Sequence, residues 1–573
     1  MIYILILLVL QHIGAEYVFN LTADPTESTD ISKASAYTQS IKHIAELSEL
    51  WLDRLVQADT SGTETSSTTI NEYYDDCGGI CPYINNTYSD TVEQIYSYSD
   101  APHIVFVLVD DWGYNDVGYH STYMPFVSPH IDAFAADGII IENYFTHESC
   151  TPARGALMTG RYALRLGFEE CDENDGAELP LSETTMAQTM QSAGYRTYVV
   201  GKWHLGYSSY ARTPLYRGFD RFYGYYNGYI DYYTKSYDGF VDLQDGETLE
   251  TDATYLDSDY HSAYLFNEKV QTMIADHAEH YATTPMFLYY ALQLVHFPRE
   301  APDNYVERCS QSYTDDAAIY CAQNLMLDEA IANLTCALKS NGLYNNTILV
   351  VAGDNGGEGL INGTSYPFRG NKFDTYNGGV RTNAFVHSPL IDASLRGTTY
   401  EGKMHVTDWL PTLMGLATNN AWTNTTDIDG YDQWSSILHN TASPRNEIIH
   451  YVYSTDQYTI EVNDIKVVTE TLKKIINPTE VFEKDLCPDN SRTACTSDGT
   501  TLAINEASNT ITQLYENTVT GTYTTLIFIL VALLALLSVI LYVFVVICRD
   551  HPPCLYHKKY TFKYQSIDAP TQL

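Results

Sequence analysis

HIVFVLVDD, residues 103–111, runs through six consecutive apolar residues and stops at two aspartates. A strand with one wet face alternates apolar and polar residues, so an unbroken apolar run reads as a strand buried on both sides, as in a parallel sheet covered by helices. The same pattern returns in YRTYVV (195–200), PMFLYYALQLV (285–295) and TILVVAG (347–353). Between these runs lie amphipathic stretches near HIDAFAADG, YLFNEKVQTMIADHAEHY and NLMLDEAIANLTCALKSNG. This alternation predicts an α/β fold, a large and mostly parallel sheet flanked by helices, in a main domain over 101–390. A helical stretch near HVTDWLPTLMGLA and three short strand patterns, EIIHYVY, QYTIEV and IKVVTE, predict a smaller C-terminal α+β subdomain over 391–475.

In open α/β sheets a ligand sits beyond the carboxyl ends of the strands. Asp110 and Asp111 follow the first run, Lys202 and His204 (GKWHLG) the second, His296 the third, and Asp354 and Asn355 (DNGG) the fourth; Lys372 comes soon after in FRGNKF. Each has an ordinary reading when taken singly, since paired aspartates cap turns, DNGG is a loop and a histidine after a strand is often structural. Their recurrence at four strand ends predicts one cleft. Asp110, Asp111, Asp354 and Asn355 offer only hard oxygen, a set suited to Ca²⁺ or Mg²⁺ rather than to zinc or copper. Arg154, Lys202, His204, His296 and Lys372 offer positive or potentially positive charge. A divalent ion ringed by such groups suits a tetrahedral oxyanion. Cys150, in HESCTPARGALMTGRY (147–162), fits badly, because soft sulfur is a poor partner for a hard ion.

Those cations stand out on this chain. It has 573 residues, with 31 Lys and Arg against 72 Asp and Glu for a net charge of −41. A field of that sign excludes a generic nucleic-acid or anionic-lipid binder. An acidic lumen, where carboxylates are partly protonated, or an acidic extracellular coat accommodates it. The 45% apolar content is ample for a core, and the length suits a large α/β unit with appendages.

The ends predict a secretory route. MIYILILLVLQHIGA (1–15) reads as a cleaved signal peptide. Residues 16–100 form an N-terminal extension, with an amphipathic helix in YTQSIKHIAELSELWLDRL and a Ser/Thr-rich linker. A polar, Thr-rich stalk (476–525) leads to an uncharged apolar stretch (526–548), long enough to cross ~30 Å of hydrocarbon. Arg549, Lys558, Lys559 and Lys563 follow it, which puts the 549–573 tail in the cytoplasm and makes the chain a single-pass type I membrane protein. The tail contains Tyr564-Gln565-Ser566-Ile567, the form of a tyrosine-based sorting signal. Secretion predicts disulfides among Cys77, Cys81, Cys171, Cys309, Cys321, Cys336, Cys487 and Cys495, with pairing open, and glycans at the sequons of Asn20, Asn85, Asn333, Asn345, Asn362 and Asn424. Cys150 is the odd thiol.

The segment Cys150-Thr151-Pro152-Ala153-Arg154 with Met158-Thr159-Gly160-Arg161 resembles the signature of the sulfatase family, whose cysteine is oxidised to formylglycine (3-oxoalanine) by the formylglycine-generating enzyme. VDDWGYNDVGYH, GKWHLG, RGFDRFYGY, ALQLVHFP, DNGG, FRGNKFDTYNGGVR and HVTDWLPTL extend the resemblance over residues 101–455, most closely to the arylsulfatase B (N-acetylgalactosamine-4-sulfatase) type. Ala153 stands where Ser is commoner, and the N-terminal extension and membrane anchor depart from the soluble lysosomal pattern. The resemblance implies an alkaline-phosphatase-like fold and hydrolysis of sulfate esters, on sulfated sugars, glycosaminoglycans or aryl sulfates. It implies Ca²⁺ bound by Asp110, Asp111, Asp354, Asn355 and the modified Cys150. Arg154 and His204 would hold the formylglycine, Lys202 and Lys372 the sulfate, and His296 would protonate the leaving alcohol while bound to the substrate. The catalytic domain is expected on the luminal or extracellular side, at the cell surface, endosome or lysosome. Two rival expectations are a phosphoester hydrolase of the same superfamily and a catalytically inactive receptor for sulfated glycans. The Tyr-rich YGYYNGYIDYYTKSYDG reads either as a sugar-stacking rim or as a loop packed on the core.

Overall fold

The structure is a computed structural model that describes residues 17–20, 43–44, 47–48, 78–82, 96, 98, 100–167, 178–423, 427–454 and 457–468. The expected signal peptide, stalk, transmembrane helix (526–548) and cytoplasmic tail lie outside the described residues. Among the described residues no helix is long and apolar enough to cross a membrane.

Sixteen strands occur among the described residues, in chain order β1 (Tyr17–Asn20), β2 (His103–Val109), β3 (Ile139–Phe145), β4 (Arg196–Lys202), β5 (Arg221–Tyr225), β6 (Ser236–Tyr237), β7 (Phe240–Val241), β8 (Gln244–Asp245), β9 (Thr248–Leu249), β10 (Met286–Ala291), β11 (Thr347–Gly353), β12 (Ala384–His387), β13 (Thr398–His405), β14 (Glu447–Ser454), β15 (Gln457–Val462) and β16 (Ile465–Val468). Ten of them form one sheet in the order β13-β3-β12-β11-β2-β10-β4-β5-β8-β9. The central strands β11, β2, β10, β4 and β5 are mutually parallel; β12 and β8 pair antiparallel with their neighbours.

The apolar run that opened the sequence explains the layering. All seven residues of β2 are buried. Val105, Val107 and Val109 join a core shared with helices Ser262–His280 and Asp315–Ser340, whereas Ile104, Phe106 and Leu108 join the opposite core, shared with helices Cys150–Thr159, Met186–Ser192 and Trp409–Thr418. The period-2 alternation of a strand thus feeds two helical layers at once. Each fully buried apolar side chain contributes about 1.5–3 kcal/mol, so a polar residue on either face of β2 would be costly.

β2 and β11 have the expected bounds, 103–109 and 347–353. The third run ends sooner than expected, with β10 stopping at Ala291 and Leu292–Val295 turning over the sheet end to deliver His296. β13 lies beyond residue 390 yet pairs in parallel with β3 in the large sheet, so that sheet reaches into the expected subdomain. The small sheet follows the order β1-β16-β15-β14. Its fourth strand comes from the N-terminal extension, since Tyr17 pairs with Val468. The extension also docks elsewhere: Ile80 is buried and its N–H donates to the carbonyl of Val241 at 2.7 Å.

Cys309 and Cys321 form a disulfide, and Cys81 is disulfide-bonded. Cys336 was expected among the bridged cysteines and instead carries a free, exposed thiol on helix Asp315–Ser340, whose turn presents it to solvent. The sequon residues Asn333 and Asn345 are exposed; Asn362 is buried at 6% exposure, so its amide is closed to a glycan.

Candidate active site

Because the central strands are parallel, their carboxyl ends share one edge, and backbone hydrogen bonds lace the loops together there. Asp110 N–H donates to Leu294 O at 3.1 Å, and Asp354 N–H to Val109 O at 3.0 Å. Asp110 and Asp111 leave β2, and Asp354 and Asn355 leave β11. Lys202 is the last residue of β4, with His204 two residues on, and Cys150 opens the helix that follows β3. Gly201 stands before Lys202 at φ +105°, and a Cβ there would lie 2.0 Å from the Ala291 carbonyl oxygen, so only glycine lets β4 deliver the lysine this close to β10.

Asp110, Asp111, Cys150, Arg154, Asp354 and Asn355 are buried, as are Lys202, His296 and Lys372; His204 is partly exposed. All ten expected site residues belong to this one cluster. Asp110 is its hub: its Oδ2 lies 2.8 Å from Lys202 Nζ and its Oδ1 lies 3.3 Å from both Arg154 Nη2 and Cys150 Sγ. Arg154 Nη2 also donates to Asp354 Oδ2 at 2.7 Å. Lys372 Nζ meets Asp111 Oδ1 at 2.8 Å and His296 Nε2 at 3.1 Å. His204 Nδ1 lies 3.1 Å from Thr151 Oγ1.

Electrostatics assign the protonation states. Burial works against the charge on Asp110, but Lys202 and the neighbouring cations hold its carboxyl well below the usual range. Burial and the adjacent Asp110 push the Asp354 carboxyl up. Burial, reinforced by Asp110, likewise pushes the Cys150 thiol far up. A thiol held protonated is inert as a nucleophile. Burial and Lys202 keep His204 neutral, and burial with Lys372 lowers His296 to about 4. His296 Nδ1 donates to the Phe297 carbonyl at 2.8 Å, which leaves Nε2 as the acceptor facing Lys372.

The residues present fit a hard divalent cation. Ligand atoms of Asp110, Asp111, Cys150 and His296 lie within 4.8 Å of one another. His296 is a poor candidate, because both of its ring nitrogens are already engaged. Asn355 is a better one: its Nδ2 donates to Asp111 Oδ1 at 2.8 Å, while its buried Oδ1 has no hydrogen-bond partner. An orphaned amide oxygen beside three crowded aspartates is the donor set of an oxygen-coordinating ion.

The sequence left open which rings of the Tyr-rich stretch pack on the core and which meet the site. Tyr223, Tyr225, Tyr226 and Tyr232 of the Tyr-rich stretch are buried, so the packed-loop reading holds for them. Tyr229, Tyr233 and Tyr237 are half-buried, and Tyr229 stacks on the His296 ring with centroids 5.8 Å apart. Its proximity to a residue 67 positions away leaves no local signal.

Buried cations, each held against an aspartate, and a hard-oxygen cluster are thus gathered at the carboxyl edge of a mixed α/β sheet. The family model named Sulfatase matches residues 102–419, and the chain belongs to the sulfatase family. Among curated relatives, arylsulfatase J of Mus musculus is 38% identical over 358 residues, covering 62% of this chain and 58% of that protein. Arylsulfatase A of Homo sapiens is 30% identical over 379 residues, covering 62% and 71%, and N-acetylgalactosamine-6-sulfatase of Mus musculus is 27% identical, covering 50% and 57%. The chain therefore spans less than two thirds of the length of arylsulfatase J. The fold is that of the crystal structure of Ps i-CgsB in complex with k-i-k-neocarrahexaose (TM-score 0.58, 24% identity, covering 64% of this chain and 84% of that one). It is also that of the PsFucS1 sulfatase from Pseudoalteromonas sp. (TM-score 0.52, 21% identity, covering 63% and 77%).

Proposed function

We propose that this protein hydrolyses sulfate monoesters of the arylsulfatase B kind, on sulfated sugars or aryl sulfates, with a formylglycine made from Cys150 and a Ca²⁺ ion. The observation that carries this reading is the misfit of the thiol: a buried, protonated cysteine 3.3 Å from Asp110, inside a hard-oxygen cluster, is useless as sulfur and well placed as a precursor of oxygen. Asp110, Asp111, Asp354 and Asn355 would hold the ion, which supplies a fixed double positive charge beside the reacting oxygen. A hydrated aldehyde at position 150 would supply the nucleophilic oxygen that the thiol cannot.

The chain's own residues do the remaining work. Lys202 and Lys372 are preorganised, each held by an aspartate, to face the negative charge on the sulfate oxygens. Arg154 ties Asp354 to Asp110 and fixes the spacing of the carboxylates. His204 and Thr151 line the side of the nucleophile. Lys372 and His296 share a hydrogen bond through Nε2, so the proton needed by a departing alkoxide is held at that contact. The luminal or extracellular side is the setting for this chemistry, with the 526–548 segment as anchor.

The test uses the protein expressed with the formylglycine-generating enzyme, assayed on p-nitrophenyl sulfate and p-nitrophenyl phosphate, with mass spectrometry of the peptide containing Cys150. The proposal expects conversion of Cys150 and a preference for the sulfate. Phosphate preference supports a phosphoester hydrolase, and an unconverted thiol with no turnover supports a glycan receptor.

A further inference from the structure

Seven large hydrophobic side chains are exposed among the described residues, and two of them flank the site: Phe297 at 44% and Phe373 at 55%. Phe297 directly follows His296, and Phe373 directly follows Lys372, whose Nζ is 3.1 Å from His296 Nε2. The two rings therefore belong to the residues that follow the two partners of one contact. Phe373 has φ +72°, a left-handed conformation that is an outlier for a bulky residue. Its N–H is fixed to the Glu148 carbonyl at 2.8 Å, and its ring lies 5.2 Å from Lys372 Nζ. Folding alone gains nothing from a strained backbone that holds an aromatic ring in water.

The Phe297 ring has aromatic neighbours of its own. Tyr229 stacks on His296 and meets Phe297 edge-on with centroids 5.3 Å apart, and Tyr237 braces Tyr229 at the same distance. Leu360, 69% exposed, comes from the same stretch as Lys372, whose N–H donates to Gly357 O. The cations of these loops are engaged: Arg299 pairs with Asp316, and Arg369 lies over the Tyr376 ring at 4.0 Å. Lys202, Lys372 and Arg154 are buried against aspartates. On a chain of net charge −41, a mouth framed by rings rather than by cations is ill suited to a polyanion.

We infer that Phe297, Phe373 and Tyr229 form an aromatic subsite for the alcohol side of the ester, selecting a singly sulfated hexopyranoside through its flat C–H face over a polysulfated chain. The inference rests on the sulfatase reading for the position of the ester. Aromatic faces hold the apolar side of a sugar ring without demanding further charge.

The test reads binding separately from turnover. Full-length Cys150→Ala protein is titrated with methyl galactopyranoside 6-sulfate and with a chondroitin sulfate hexasaccharide, followed by ligand-observed NMR. The monosulfate is expected to bind at least as tightly as the hexasaccharide, with saturation transfer concentrated on its ring protons. Adding Phe297→Ala or Phe373→Asn, the latter tolerant of positive φ, is expected to weaken the monosulfate about five- to tenfold, and Phe297→Tyr or Phe373→Tyr to restore it. Melting curves identify any variant that fails to fold. Unchanged affinity in both folded ring-deletion variants overturns the subsite, as does tighter binding of the hexasaccharide. Absence of turnover in the matured wild type sinks the sulfatase reading instead, and leaves this binding result to be judged by itself.

Discussion

His296 accepts from Lys372 through Nε2 at 3.1 Å while its Nδ1–H is tied to the backbone carbonyl of Phe297. The ring is fixed in one tautomer, and under the proposed function the proton for a leaving group would come by way of the lysine contact. His296→Ala is therefore expected to depend on the leaving group. Hydrolysis of a sugar sulfate should fall 10²-fold or more, whereas p-nitrophenyl sulfate, whose phenolate leaves without a proton, should fall far less. Equal losses on both substrates would remove His296 and Lys372 from proton transfer.

Lys202 neutralises buried Asp110 at 2.8 Å, so its removal deprives the site of charge and strands a carboxylate. Lys202→Ala should lower kcat/KM by about 10²–10³-fold and lower thermal stability as well. Lys202→Met, which keeps the volume, separates the two effects if melting is measured alongside kinetics.

Asn355 supplies the amide oxygen left without a partner. Asn355→Leu should weaken divalent-ion binding, seen as a smaller rise in melting temperature on adding Ca²⁺. An equal Ca²⁺-dependent rise in the variant and the wild type would place the ion elsewhere.

Gly356 is a packing requirement of the same loop, because a Cβ there would fall 1.9 Å from the Gly378 carbonyl oxygen. Gly356→Ala must part the DNGG loop from the segment that carries Lys372. Its expected signature is a loss of turnover of at least tenfold with far-ultraviolet circular dichroism unchanged.

Stability should rise from pH 5 to pH 7. Burial lowers His147 to about 3 and His103, His261 and His450 to about 4, so these histidines stay neutral in the fold and take up protons below about 6.5 only on unfolding. A depressed histidine contributes stability that is present above the unfolded pKa and lost as pH falls through it, with a slope of up to roughly 1.4 kcal/mol per pH unit for each group. Glu300, raised to about 7 by burial and Asp231, and Asp354, raised to about 7 by burial and Asp110, have the opposite sign, their contributions being lost as pH rises toward 7. Four groups outweigh two. A melting temperature that falls over this interval would contradict the balance and favour an acidic compartment.

What the sequence disclosed follows from where its signals are local. β2 and β11 were legible because both faces are buried and the apolar run is unbroken. β3 was not, because IIIENYF carries Glu142 and Asn143 in mid-strand, and Glu142 is matched by Arg381, His120 and Tyr114 from distant segments. The ten site residues could be read because each ends or follows a recognisable run or motif. The exposure of Phe297 and Phe373 could not, since no local pattern separates an aromatic facing water from one facing the core. The pairing of Tyr17 with Val468 is beyond any local reading.

The small sheet also sets a clock. Tyr162 and Leu164, just past the helix that begins with Cys150, pack among Ile449, Tyr458 and Val467 of the small sheet. Their hydrophobic partners are synthesised about 300 residues later, which at ~5–20 residues per second amounts to roughly 15 to 60 seconds of translation. During that interval the nascent segment just past residue 150 lacks the hydrophobic cover that the small sheet later gives Tyr162 and Leu164.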